Sequence, residues 1–313
     1  MTTSPDIQVV DLCAVTLADF EGLWNCEVRF WRTRLLWDVS GTFAAMRRIQ
    51  ERGSLPGKAV RANGRIVGYA AYGVAGHLGV IPALVVSREW QSARVGETLV
   101  RATIDAIRRM GVSRIESLFI AIDATWLVPA FERAGFHTYW REFLRLDLNQ
   151  MRGDAPAPAS VPLDPWGRTH LGEAAAMLQQ AYAGGVDVEV HEQYRTLDGC
   201  HGVLDEILNQ GSCGMLVPEA SAIARDHGRG MGFVLITEIS PRQGHLTHIA
   251  VVPEYQRRGI GRGLLDYSLQ RLSERRFKTL SLIVSRSNNR ALGLYQSIGF
   301  QSVLAFPVCV WEK

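Results

Sequence analysis

One stretch of this 313-residue chain is dense in groups that can do chemistry: HLTHIAVVPEYQRRGIGRGLL, beginning at His245. A β-rich run ends at Pro253, which cannot donate a ladder hydrogen bond. The chain then passes through Gly259, Gly261 and Gly263 directly into a helical pattern. Glycine lets the backbone approach a ligand, and a helix start adds unsatisfied N–H groups and the positive end of a dipole. Together these make a cradle for a pyrophosphate. The spacing is not that of a dinucleotide fingerprint, because Leu264 stands where the third small residue belongs. A phosphate loop of the Walker type is excluded too, since no Gly-Lys-Ser/Thr follows. Taken alone, the loop also reads as a ligand-free strand-to-helix turn.

These residues need elements to hold them. GMGFVLITEI and GHLTHIAVV are β-rich runs separated by Ser240-Pro-Arg-Gln-Gly244, which predicts a hairpin. After the loop, Leu264, Leu265, Leu269 and Leu272 fall on one helical face. TLSLIV is a buried-strand pattern, and NNRALGLYQSIG predicts a second amphipathic helix closed by Gly299. LGEAAAMLQQAY predicts a helix over 171–182, and the tail SVLAFPVCVWE reads as one or two strands. The pattern is α/β (α+β), a mixed sheet with interposed helices.

The same order occurs twice. Glu89-Trp-Gln91 answers Glu254-Tyr-Gln256, and Phe131-Glu-Arg-Ala-Gly-Phe136 answers Tyr295-Gln-Ser-Ile-Gly-Phe300, at nearly one offset. Between the copies lies NQMRGDAPAPASVPLDP, whose prolines suit an extended linker. The expected division is therefore a first domain over 1–150, a linker over 151–165 and a second domain over 166–313. In the first copy Arg94 and Thr98 replace the first and third loop glycines, and Phe131 replaces Tyr295. Trp24, Val28, Trp31 and Leu35 form an apolar helix stripe that reads as core.

VVPEYQRRGIGRGLL followed by SLIVSRSNNRALGLYQSIGF resembles the two signature motifs of the GNAT superfamily of acetyl-CoA-dependent N-acetyltransferases. The match runs through Gln256, Gly259 and Gly261 in the loop, and Val284, Asn288, Ala291 and Tyr295 in the second motif. Two such domains in one chain resemble the arrangement of the mycothiol synthases. The resemblance implies two tandem domains, each with a centrally splayed mixed sheet, and acetyl transfer to a small-molecule or peptide primary amine. It implies that pantetheine pairs with the strand at Ile249, Ala250 and Val251. Pyrophosphate would lie on the segment Arg257, Arg258, Gly259, Ile260, Gly261, Arg262 and Gly263, with Asn288 as a further polar contact. Tyr295 is then the acid that protonates the departing thiolate. The base is sought on the strand before the loop. Alternation puts His245, Thr247, Ile249 and Val251 on one face and His248 on the other. His245-Leu-Thr247 resembles the histidine-bearing strand of the serotonin N-acetyltransferases, so His245 is the expected base, with His248 and Glu238 behind it. Asp187, Glu189, Glu192 and Tyr194 fall where acids would favour a cationic acceptor. The degenerate first copy is expected to be non-catalytic and empty. A non-enzymatic acyl-CoA-binding protein is the competing reading.

Composition bounds the rest. Hydrophobic residues make 47% and charged residues 21%, which excludes a disordered chain. The 34 basic side chains against 31 acidic ones are too balanced to imply a nucleic-acid partner. Runs of the length that spans a membrane are missing, and the first residues do not read as a signal peptide. Five cysteines without a CxxC pair argue against a disulfide framework or a metal site and for a reducing cytoplasm.

Overall fold

The computed structural model describes residues 6–117, 125–150 and 162–313. In chain order the first part gives β1 (Ile7–Asp11), α1 (Leu17–Phe30), α2 (Ser40–Glu51), β2 (Gly57–Ala62), β3 (Arg65–Ala75), β4 (Leu78–Val86), α3 (Ala93–Arg108), β5 (Arg114–Ser117), α4 (Val128–Arg133) and β6 (His137–Asp147). The second part gives β7 (Leu163–Pro165), α5 (Leu171–Tyr182), α6 (Val186–Val190), α7 (Leu197–Asn209), β8 (Met215–Leu216), β9 (Ala222–Asp226), β10 (Arg229–Ser240) and β11 (Gln243–Val251). It continues with α8 (Ile260–Glu274), β12 (Thr279–Ser285), α9 (Asn289–Ile298) and β13 (Gln301–Glu312). The helices expected at 171–182, after the loop and after Asn288 are α5, α8 and α9, and the tail is the single strand β13.

Two compact units form, residues 142–305 and residues 1–141 joined by 306–313. In the first, β1 to β4 are antiparallel neighbours, β5 joins β4 in parallel, and the end of β13 joins β5. In the second the order is β6-β12-β11-β10-β9-β7, with β11 and β12 parallel and β8 also on β10. Each sheet is covered on both faces. Phe20, Leu23 and Trp24 of α1 pack on Tyr69 and Val85 in one core of the first unit, and Leu99, Ile104 and Phe131 build the other. In the second unit Ala174, Leu178 and Leu204 cover one face, and Leu264, Leu269 and Tyr295 the other. Each unit is the mixed α/β architecture expected. Of the predicted linker, 151–161 lie outside the described residues, and 163–165 form the edge strand β7, where proline is tolerated.

The duplication is visible in individual bonds. Ser87 N–H donates to Val67 O at 2.8 Å, as Val252 N–H does to Met231 O at 2.9 Å. Gln91 Nε2 donates to Val86 O at 3.3 Å, as Gln256 Nε2 does to Val251 O at 2.9 Å. The residues 306–313 fall with the first unit for a concrete reason. Val310, Trp311 and Glu312 pair with Glu116, Ile115 and Arg114. The fully buried Arg114 donates to Glu116 and to Glu312, each at 2.7 Å, and Arg108 stacks 4.3 Å over Trp311.

Candidate active site

The site begins with a break in the pairing of β11. Its parallel partnership with β12 runs from Gln243/Thr279 to Leu246/Leu282. Its antiparallel partnership with β10 continues to Val251/Gly232, with one register shift between Leu235 and Ile236 and another in the hairpin, between Glu238 and Ser240. Val252 N–H donates to Met231 O, so alternation turns the main-chain groups of Ile249 and Val251 away from β10, into the gap beside β12. Of the three residues expected to hold pantetheine, Ile249 offers both its main-chain groups to the gap and Val251 its N–H, the Val251 carbonyl being taken by Gln256. Ala250 is paired with Phe233 and its side chain is buried on the α5 face.

The register shift corrects the expected faces of β11. Leu235 pairs with His248 but Ile236 with Leu246, so Thr247 is an extra, bulged residue. Beyond it the alternation is reset. Leu246, Ile249 and Val251 pack on the α8 face, whereas His245, His248 and Ala250 share the opposite one. The two histidines are therefore neighbours. His245 is buried, stacks 6.2 Å from Phe143 and lies with Nδ1 2.9 Å from Ser281 Oγ. Burial first, and the nearby His248 second, push its imidazole down to about 3. It is thus not the poised acceptor expected of an ordinary histidine. His248 lies nearer the gap, with Nε2 3.0 Å from the Tyr194 hydroxyl and its ring facing Tyr182. Glu238 takes no place here: it accepts the Arg242 N–H at 2.7 Å in the hairpin turn. That turn is six residues of β10 from Gly232, or about 20 Å.

The loop after β11 opens as a cradle. Arg257 and Gly259 both adopt left-handed backbone, φ 62 and 80. The first helical bond of α8 is Gly263 N–H to Gly259 O. The N–H groups of Ile260, Gly261 and Arg262 thus have no acceptor inside the helix. A Cβ at Gly259 would meet nothing within 4 Å, and one at Gly261 only Val251 and Leu294 at ordinary contact. The residues therefore fit a pyrophosphate. Arg258 stacks 5.4 Å from the Tyr255 ring, Arg262 is tied to Asp266 at 2.8 Å, and Arg257 is exposed. Arg290 donates to Gln256 at 2.5 Å and so braces the loop. Asn288 caps α9, accepting the Ala291 N–H at 3.1 Å.

Tyr295 points from α9 into the gap-side core, buried, with its ring 5.7 Å from Phe300. Burial, and then the charge of Asp187, raise its phenol well above the ordinary value, so the hydroxyl stays protonated. Asp187 Oδ1 accepts from Ser285 Oγ at 3.2 Å. Sequence reasoning placed Asp187 among the acids that would favour a cationic acceptor, without its tie to Ser285, and the register shift at Thr247 leaves no signature in residue types. Glu189 lies 3.8 Å from Arg195 on the surface.

In the first unit the described residues differ at the counterpart of the cradle. Ser92 caps α3 with its own side chain, accepting the Val95 N–H at 3.4 Å, so the helix starts earlier. A Cβ at Gly96, the counterpart of Gly261, would run into the Trp126 ring. Phe131, in place of Tyr295, packs at 5.2 Å on Phe136.

A twice-built mixed sheet, with a glycine cradle at the mouth of a parted parallel strand pair, defines a tandem acetyltransferase fold. The chain belongs to the acetyltransferase (GNAT) family, whose model matches residues 20–136 and 182–300. It is 43% identical over 70 residues to the [ribosomal protein bS18]-alanine N-acetyltransferase of Escherichia coli (strain K12), covering 22% of this chain and 47% of that protein. The chain thus spans about half the length of the curated relatives it matches. A GCN5-related N-acetyltransferase from Sphaerobacter thermophilus superposes with a TM-score of 0.63 at 17% identity, over 82% of this chain and 80% of that one. A tandem GNAT protein from the clavulanic acid biosynthesis pathway does so with 0.55 at 14%, over 98% of each. At these identities the likeness is one of fold. Among the described residues no helix is long and apolar enough to cross a membrane, and no cluster of metal-ligating side chains occurs.

Proposed function

We propose that the second unit transfers an acetyl group from acetyl-CoA to a primary amine of a small molecule or peptide, and that the first unit is non-catalytic. The observation that carries this reading is the coincidence, at one gap, of the unpaired strand backbone at Ile249 and Val251, the open glycine cradle and the buried phenol of Tyr295. When bound, acetyl-CoA supplies the acetyl thioester. Ile249 holds pantetheine through its main-chain groups, and the amides of Arg257 to Gly263 hold the pyrophosphate. The Val251 N–H donates to the oxygen that gains charge during attack.

An ammonium loses one proton, which leaves through His248 and Tyr194 to solvent, and becomes a nucleophile. Its nitrogen forms the C–N bond as the C–S bond breaks. Tyr295 donates its proton to the sulfur and recovers one from the nitrogen, yielding amide and free thiol. His245, held neutral by burial, takes no proton.

The peptide-amine option is supported by the Escherichia coli relative, a [ribosomal protein bS18]-alanine N-acetyltransferase. In the first unit Trp126 over Gly96, and Phe131 for Tyr295, support an empty site. Isothermal titration with acetyl-CoA tests both parts. One site per chain, lost in Gly261→Trp, is expected. Two sites would mean that the first unit binds the coenzyme as well, and none overturns the acetyltransferase reading.

A further inference from the structure

A cavity of about 390 Å³ opens on the second unit between the end of α5 and the turn that follows α6. Ala183, Gly184, Val188 and Tyr194 line it, and most of its wall is apolar. Space of this size, with apolar walls and few polar groups, is the form that sites for small organic groups take. The polar members of the wall are engaged with one another and with the main chain. Gln179 Nε2 donates to Arg195 O at 3.3 Å, and Arg195 Nε donates to Val188 O at 3.2 Å. The charge in the wall is that of Arg195, and it is positive. Of the four residues expected after α5 to favour a cationic acceptor, Tyr194 lines the cavity, whereas Asp187, Glu189 and Glu192 do not.

The walls of this cavity are tied to both of the strands that part. Tyr194 lies with its hydroxyl 3.0 Å from Nε2 of His248, the residue before Ile249 on β11. The helix α6, which carries Val188, is held to the end of β12 by the Ser285 hydroxyl, 3.2 Å from Asp187 Oδ1. One phenol ring thus spans from the cavity wall to the histidine beside the gap.

We propose that this cavity receives an uncharged, apolar substituent of the acceptor. The second unit then selects amines that carry such a group a few bonds from the nitrogen over amines with no side group or with a second cation. A peptide N-terminus with an apolar first side chain meets this condition. Burial of the apolar group strengthens binding of acceptor and transition state alike, so the effect falls on KM. A second cation meets Arg195 and loses its hydration against an apolar wall. The proposal rests on the acetyltransferase reading.

Glycinamide, leucinamide and argininamide share the reacting amine and differ in the group that meets the cavity, and release of the coenzyme A thiol follows all three. Leucinamide is expected to exceed each of the others in kcat/KM by about tenfold or more. Ala183→Trp places an indole in the cavity wall from an exposed position. It should raise KM for leucinamide about tenfold, change kcat less, and erase the advantage over glycinamide. Acetyl-CoA binding by this variant, read by calorimetry, should match wild type and shows that it is folded. Equal use of glycinamide and leucinamide by the wild type, or a preference for argininamide, overturns the proposal, as does a leucinamide preference that Ala183→Trp leaves intact. Coenzyme binding without turnover of any of the three amines overturns it too. Each of these outcomes leaves coenzyme binding in place and defeats the cavity alone; no binding and no turnover defeats the acetyltransferase reading with it.

Discussion

Tyr295→Phe removes one oxygen from a position at which the chain already carries phenylalanine. Phe131 occupies the equivalent place in the first unit, buried and 5.2 Å from Phe136, as Tyr295 is 5.7 Å from Phe300. The backbone is the same as well: Phe136 N–H donates to Phe131 O and Phe300 N–H to Tyr295 O, both at 3.1 Å. The ring without its hydroxyl therefore fits, and stability should change by no more than about 1 kcal/mol, a shift of about 2–4 °C in Tm. The kinetic effect should be much larger. A positioned general acid contributes about 10²–10⁴-fold, or about 3–5 kcal/mol of activation free energy. Because burial and Asp187 raise the phenol, the hydroxyl stays in its donor form through the ordinary assay range, and any alkaline fall in kcat owed to it lies above pH 10. Steady-state thiol release gives kcat, and calorimetry gives acetyl-CoA affinity. Expected are a kcat lowered about 100-fold or more and an affinity within about twofold of wild type. An unchanged kcat, or a loss of rate matched by an equal loss of affinity, would refute Tyr295 as the acid.

Three further outcomes are expected. Gly259→Ala meets no atom but forces a side chain into left-handed backbone, so it should cost about 1 kcal/mol in stability while weakening acetyl-CoA more than about tenfold. Equal small effects on both would remove Gly259 from the cradle. Glu27 is buried against the Tyr69 hydroxyl at 2.7 Å, and burial raises its carboxyl. The stability of its neutral form is present below the unfolded value of 4.5 and is lost as pH rises through the raised folded value. Glu27→Gln should therefore gain on wild type in urea unfolding as pH rises above 4.5; a pH-independent difference would contradict this. Deletion of 306–313 strips Arg114 of Glu312, leaving it Glu116, and makes β5 an open edge, a loss of about 1–3 kcal/mol from the charged hydrogen bond alone. It should abolish hydrogen-exchange protection in β4 and β5, and retained protection would argue against that role.

Local signals were readable wherever one residue fixes one conformation. Asn288 caps α9 and Gly299, at φ 107, closes it, as their positions imply. The duplication was legible because Gln91 and Gln256 make the same bond to the strands before them. What failed depended on pairing. A bulge at Thr247 changes which histidines are neighbours, yet threonine is an ordinary strand residue. Trp126 closes the first cradle from a segment far from Gly96 in sequence, and the burial that depresses His245 comes from Phe143 and Ser281 on other strands.

The end of β13 also sets the order in which the protein can finish folding. Arg114 and Glu312 are 198 residues apart. At about 5–20 residues per second a ribosome needs about 10–40 s to make the intervening chain. Throughout that interval β5 is an uncovered edge that carries a charged group destined for burial, the kind of surface that recruits wrong partners. The second unit is synthesised entirely before residue 306 and can complete first. The half that leaves the ribosome earliest is thus the half that closes only when the end of β13 arrives.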